Sequence, residues 1–125
     1  MSIKILVVDD SGLARRSIRQ ILEEMGHQVE EARDGAEAIE RYFLNQHDLI
    51  VLDMVMEGMY GLEVLIKFKQ LNPDAKVIVV TADIQDSTRA EVRAAGASAL
   101  VNKPVVRAEL ERVVNSTLKG DMAWN

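Results

Sequence analysis

Five polar side chains stand where apolar runs stop. Val7-Val8 leads into Asp9-Asp10, Leu49-Ile50-Val51-Leu52 into Asp53, Val77-Ile78-Val79-Val80 into Thr81, and Ala99-Leu100-Val101 into Asn102-Lys103-Pro104. Such a run reads as a strand buried on both faces, and the polar residue closing it lands at the carboxyl edge of a parallel sheet. Ligands bind at that edge in open parallel sheets. Four strand ends would therefore assemble three carboxylates, one hydroxyl and one ammonium. Neighbouring carboxylates disfavour each other's ionisation, and a divalent cation relieves the repulsion. The oxygen ligands, with no histidine or cysteine nearby in sequence, suit Mg2+, with Mn2+ as the alternative. Lys103 is a mobile cation able to pair with Asp53 or with an oxyanion built there, and Thr81 offers a hydroxyl to the same group. Alone, Asp9-Asp10 would read as acids capping a helix N-terminus; four strand ends in series make the site reading.

The elements that must position these groups alternate strand and helix throughout. Strands are expected at Ile3–Val8, Gln28–Ala32, Leu49–Asp53, Lys76–Thr81 and Ser98–Val101, the second being polar and therefore near an edge. Ser11 is a plausible N-cap for a first helix with Ala14, Ile18, Ile21, Leu22 and Met25 on one face, closed by Gly26. Asp34-Gly35 makes a turn before a second helix marked by Ala38, Ile39, Tyr42 and Phe43. A third carries Val64, Leu65, Phe68 and Leu71 inward and stops before Pro73. The fourth covers Asp86–Ala95 and ends at Gly96. The last, with Val106, Leu110, Val113, Val114 and Thr117, ends at Gly120. Five strand–helix repeats joined by short connections imply an α/β domain with helices on both faces of a parallel sheet. The expected division is one domain over residues 1–120 and a frayed tail over 121–125.

Composition narrows the function. The 125 residues suit one core, and a net charge of −5 argues against nucleic-acid binding. No apolar run approaches the ~20 residues of a membrane helix or resembles a secretory segment, and cysteine is absent; a cytoplasmic location is expected. Arg15 and Arg19 share a helix face near Arg16, most simply as a solvated surface rather than a docking patch. His27 and His47 read as surface loop residues, Met54, Met56 and Met59 as a cover around Asp53, and Trp124 as part of a disordered tail.

Taken together, Val7-Val8-Asp9-Asp10-Ser11, Asp34-Gly35-Ala36-Glu37-Ala38, Asp53-Met54-Val55-Met56 with Gly61, Thr81-Ala82, Gly96-Ala97 and Lys103-Pro104 resemble a response-regulator receiver domain of the CheY-like single-domain type. The similarity runs from about Ile3 to Leu118. It implies a (βα)5 flavodoxin-like, three-layer α/β/α fold with strand order 2-1-3-4-5. It also implies that Asp53 accepts a phosphoryl group from a phosphohistidine on a histidine kinase or phosphotransfer protein. Asp10, Asp53 and the Val55 carbonyl would hold Mg2+, with Asp9 acting through water. Thr81 and Lys103 would bind the phosphoryl group, and Lys103-Pro104 matches a cis-proline position. The output would be phosphorylation-dependent binding of a protein target through the face of helix four, strand five and helix five, chemotaxis being one candidate pathway. A monomer or weak phosphorylation-dependent dimer is expected.

Three departures bear on the output. Glu57 replaces a family proline, and Leu100 stands at the aromatic switch position. Val55 and Asp83 occupy positions that tune phosphoryl lifetime; an apolar Val55 gives no hydrogen bond to an attacking water, so self-dephosphorylation is expected to be slow or to depend on a phosphatase. Thr81-Ala82-Asp83-Ile84-Gln85 resembles receivers served by CheC/CheX-type phosphatases. The alternatives are a phosphate sink or relay without a direct target and an aspartate-nucleophile phosphohydrolase. The latter wants a second aspartate where Val55 stands. A flavin-binding flavodoxin is disfavoured because Asp9-Asp10-Ser11 puts negative charge where a phosphate would sit.

Overall fold

The computed structural model describes residues 3–56, 59–121 and 124, without the side chains of Val55, Met56 and Met59. The readings placed on Glu57 and on the Met56 and Met59 side chains lie outside the described residues.

Strands β1 (Lys4–Val8), β2 (Gln28–Ala32), β3 (Leu49–Asp53), β4 (Val77–Thr81) and β5 (Ala99–Asn102) form one parallel sheet in the order β2-β1-β3-β4-β5. Helices α1 (Gly12–Glu24), α2 (Gly35–Asn45), α3 (Gly61–Leu71), α4 (Asp86–Ala94) and α5 (Arg107–Leu118) connect and cover it. This is the flavodoxin-like fold expected. The pleat divides each strand between two cores. Leu6, Val8, Ile50, Leu52, Val77 and Val79 meet Ala38, Tyr42, Val64, Phe68 and Val92 from α2, α3 and α4. Ile5, Val7, Leu49, Val51, Ile78 and Val80 meet Ile18, Leu22, Leu110, Val113 and Val114 from α1 and α5. Every residue of β3 and β4 is buried, so their carboxyl ends are held on both sides.

Local signals account for the element ends. The Ser11 hydroxyl accepts the Ala14 amide, and Asp34 accepts the Glu37 amide at 2.8 Å, so Asp34 caps α2 rather than merely turning the chain. Gly26 closes α1 with φ +95°, a conformation that suits glycine. Between β3 and α3, Val55–Met56 pairs antiparallel with Met59–Tyr60 in a short ribbon that the apolar pattern did not announce.

The structure corrects several expectations. Tyr42 takes the core position, its ring edge-on to Phe68 at 5.2 Å, and leaves Phe43, a third of a turn further round, 70% exposed. Leu71, the last residue of α3, is half exposed, and Val106 caps α5 from outside. His47 is buried: its Nε2 lies 2.6 Å from Glu30 Oε1. Burial works against the charge of Glu30, but His47, Asn45 and Arg41 outweigh it and hold the carboxyl below its usual range. Trp124 is not a loose tail residue; its indole Nε1 donates to the Ala97 carbonyl at 3.1 Å.

Gly61 starts α3 directly beneath the end of β3. A Cβ there would lie 2.7 Å from Asp53 O, Met54 Cα and Met54 O, all backbone atoms that cannot step aside. We expect Gly61→Ala to cost about 1–3 kcal/mol in urea unfolding; an unchanged midpoint would show that the β3–α3 junction yields.

Candidate functional site

The sheet register brings the sequence-selected groups to one place. Asp9 and Asp10 follow β1, Asp53 ends β3 opposite Val80, and Thr81 ends β4 opposite Asn102, one residue before Lys103. A carboxylate oxygen from each of Asp9, Asp10 and Asp53 lies within 4.8 Å of the others. Asp9 and Asp53 are buried and Asp10 is exposed, so the cluster opens to solvent on the Asp10 side. The Lys103 ammonium reaches in to 3.2 Å from Asp53 and 3.3 Å from Asp9. The Lys103-Pro104 peptide is cis, as the resemblance implied, and the Lys103 amide donates to the Thr81 carbonyl at 2.8 Å.

Charge in this pocket is unevenly balanced. Burial, reinforced by the Asp9 charge, pushes the Asp53 carboxyl above its usual range, against the pull of Lys103. For Lys103, burial disfavours the charge, but Asp53 and then Asp9 more than offset it and raise its pKa. The Lys103 ammonium contacts two of the three clustered carboxylates, Asp53 and Asp9. Hard, oxygen-only ligands with an open side fit Mg2+.

Asp9 is tied down on every side. Its Oδ1 accepts the Ser11 amide at 2.9 Å, its amide donates to the Ala32 carbonyl, and its carbonyl accepts from Arg15 at 2.7 Å. Arg15 also pairs with Glu31 at 2.8 Å, and Arg19 pairs with the other Glu31 oxygen at 2.7 Å. The expectation of a solvated arginine face is therefore wrong for these two; they bind β2 to α1, and Arg15 orients the Asp9–Asp10 peptide. The i,i+4 spacing showed that they share a face, but nothing local identified Glu31 as the partner.

Thr81 is buried, and its Oγ1 accepts the Asp83 amide at 3.0 Å. The Asp83 carboxylate turns to α4, taking the Gln85 amide at 2.9 Å and the Thr88 hydroxyl at 2.6 Å; the Thr88 bond chiefly lowers its pKa. Leu100 sits inside the α2–α3–α4 core, only 9% exposed.

A sequence profile of the response regulator receiver domain matches residues 5–115. The chain belongs to that family. It is 34% identical over 119 residues to chemotaxis protein CheY of Bacillus subtilis, covering 94% of this chain and 99% of that protein. Response regulator MprA of Mycobacterium ulcerans is 39% identical over 110 residues, covering 88% of this chain but 47% of MprA, so the chain spans about half of that relative. Among solved structures, a CheY-like receiver domain protein from Methanospirillum hungatei superposes with a TM-score of 0.90 at 31% identity, covering 96% of each chain. A receiver domain is the phosphoacceptor signalling module of two-component systems and implies a histidine kinase as partner. Among the described residues, no helix is long and apolar enough to cross a membrane.

The receiver pocket stores repulsion that a neutral residue would release. Asp53, whose pKa is raised in the fold, contributes stability fully present below its unfolded value of about 3.9 and lost as pH rises through the folded value. Without divalent cation, Asp53→Asn should therefore raise Tm at neutral pH, and the gain should shrink as pH falls toward the ordinary carboxylate range. Added Mg2+ should stabilise the wild type more than the variant. Thermal melts with and without Mg2+ decide this; a metal-free variant less stable at neutral pH would contradict it.

Proposed function

We propose that Asp53 accepts a phosphoryl group from a phosphohistidine on a histidine kinase or phosphotransfer protein, and that the phosphorylated form signals by binding another protein. The observation that carries this reading is the set of three carboxylates within 4.8 Å of one another with the Lys103 ammonium bridging Asp53 and Asp9. In the transfer, an Asp53 carboxylate oxygen bonds to phosphorus while the phosphorus–nitrogen bond breaks; the imidazole keeps the electron pair and takes up a proton. In a separate hydrolysis step a water oxygen bonds to phosphorus while the Asp53 oxygen–phosphorus bond breaks; the carboxylate leaves with the electron pair, a proton goes to solvent, and inorganic phosphate is released.

Asp10, Asp53 and the Val55 carbonyl are the proposed Mg2+ or Mn2+ ligands. Asp9, whose two oxygens already serve the Ser11 amide and Lys103, acts through water. When bound, the cation neutralises charge on the transferring group, the main demand of phosphoryl transfer. Lys103 keeps an ammonium at the same oxygens without needing to travel. Thr81 turns its hydroxyl from the Asp83 amide to a phosphoryl oxygen.

The α4–β5–α5 face is the proposed output surface, with Leu100 as the residue at its switch position. Similarity to Bacillus subtilis CheY makes chemotaxis the first pathway to test. Residues 1–120 are the proposed receiver unit, in the cytoplasm, and the contact from Trp124 to Ala97 brings part of 121–125 into it. A CheC/CheX-type phosphatase is the proposed terminator of the signal.

Incubation with acetyl phosphate and Mg2+ should add one phosphoryl group by mass to the wild type and none to Asp53→Asn. A wild type that gains no mass overturns the reading. Because Val55 carries no polar group, Val55→Asn should shorten the phosphoryl half-life, as followed by phosphate release; a half-life equal to the parent's would remove Val55 from control of the lifetime.

A further inference from the structure

Trp124 occupies a built seat on α4. Its indole N–H donates to the Ala97 carbonyl at 3.1 Å, in the turn between α4 and β5. The guanidinium carbons of Arg89 and Arg93 lie 5.3 and 5.5 Å from its ring centroid. These arginines are four residues apart and so share one side of α4. The ring also packs against the α2–α3–α4 core and is half-buried. An indole presents one N–H donor, a large apolar surface and an electron-rich face. The seat offers one carbonyl acceptor, apolar contact and two cations, so each property of the ring is matched.

We propose that this part of α4 is an indole-binding seat, filled in cis by Trp124, and that Trp124 leaves it when Thr81 changes partner. The release rests on the phosphoacceptor reading; the seat does not. Thr81 Oγ1 accepts the Asp83 amide; swinging the oxygen about χ1 so that its O–H donates to a phosphoryl oxygen on Asp53 withdraws that acceptor from the amide. Asp83 in turn holds the Gln85 amide and the Thr88 hydroxyl at the start of α4. Thr88 directly precedes Arg89, so displacement of the Asp83 segment reaches the helical turn that contacts the ring. While Trp124 is seated, its indole takes the Ala97 carbonyl and lies against Arg89 and Arg93. Once it leaves, the same acceptor, apolar surface and cation faces fit an aromatic side chain presented by a protein partner.

Trp124 is the only tryptophan in the sequence, so fluorescence of the intact chain reports it alone. Acrylamide should quench the wild type several-fold less efficiently than it quenches N-acetyltryptophanamide, and Arg89→Gln/Arg93→Gln should move quenching toward the free indole. Wild-type quenching equal to the free indole overturns the seat, whether or not the double variant folds. With Mg2+ and acetyl phosphate, Trp124 emission should shift red and quenching should rise, and neither should occur in Asp53→Asn. Phosphoryl incorporation by mass without a change in Trp124 overturns the release and leaves the phosphoacceptor reading standing. Absence of incorporation fails that reading and the release together, and quenching still decides the seat.

Discussion

Three carboxylates held at one edge of a sheet are a standing source of repulsion, and the rest of the molecule is arranged around that constraint. At an effective dielectric near 20, two unit charges about 4 Å apart repel by roughly 4 kcal/mol, a large share of what a domain of this size has to spare. The acids could relax by moving apart, but β1 and β3 are hydrogen-bonded neighbours, and the core residues of β3 and β4 are packed on both faces. Relief must therefore come from charge. Lys103 supplies part of it through contacts with Asp53 and Asp9; burial first, and then the Asp9 charge, still hold the Asp53 pKa above its usual range. The pocket is thus rigid in position and unsatisfied in charge, which suits a cation and a transferred phosphoryl group.

That constraint also explains why so much was legible in the sequence. A buried parallel strand must be apolar until it ends, so Val7-Val8, Leu49–Leu52 and Val77–Val80 mark both the sheet and the residues it delivers. The strand order came from resemblance, and the register of β3 against β1 and β4 agrees with it. What the pattern hid were pairings between residues far apart in the chain. Glu31 lies in a strand that reads only as polar, yet it binds Arg15 and Arg19. His47 is the loop residue expected but not an exposed one, and its partner Glu30 is seventeen positions away. Trp124 follows the last helix, and only the folded chain shows Ala97 within its reach. Periodicity reports which face a residue occupies, and it is silent about the partner that satisfies a polar group there.

Two sets of hydrogen bonds leave the pocket in opposite directions, and they differ in kind. Toward β2, Asp9 is fixed by Ser11, Ala32 and Arg15, with Arg15 anchored in turn by Glu31. Every member of that set is engaged by at least one further group, so it holds the acids still. Toward α4, Thr81 accepts one amide and Asp83 takes two donors from the start of the helix. That path depends on a single hydroxyl, which can rotate without breaking the sheet. The first set positions the site; the second hangs on one rotatable hydroxyl.

Leu100 strengthens the case for the second path. Leu100, the proposed switch residue, is already inside the core that contains Val79, Val92 and Ala97. An aromatic ring swinging from solvent into that space would have to displace packed atoms, and a leucine that starts buried has little further to go. If Leu100 has that role, any shift of α4 would rest on contacts other than a large side chain moving at this position. Thr88 is buried and bonded to Asp83 at 2.6 Å, and it belongs to the same helix that carries Arg89 and Arg93. Thr81, Asp83 and Thr88 are therefore joined in one hydrogen-bonded series from the end of β4 to the first turn of α4. Under the proposed function, a readout carried by these hydrogen bonds would shift the helix through small rotations of polar groups while the sheet-held acid pocket stays in place.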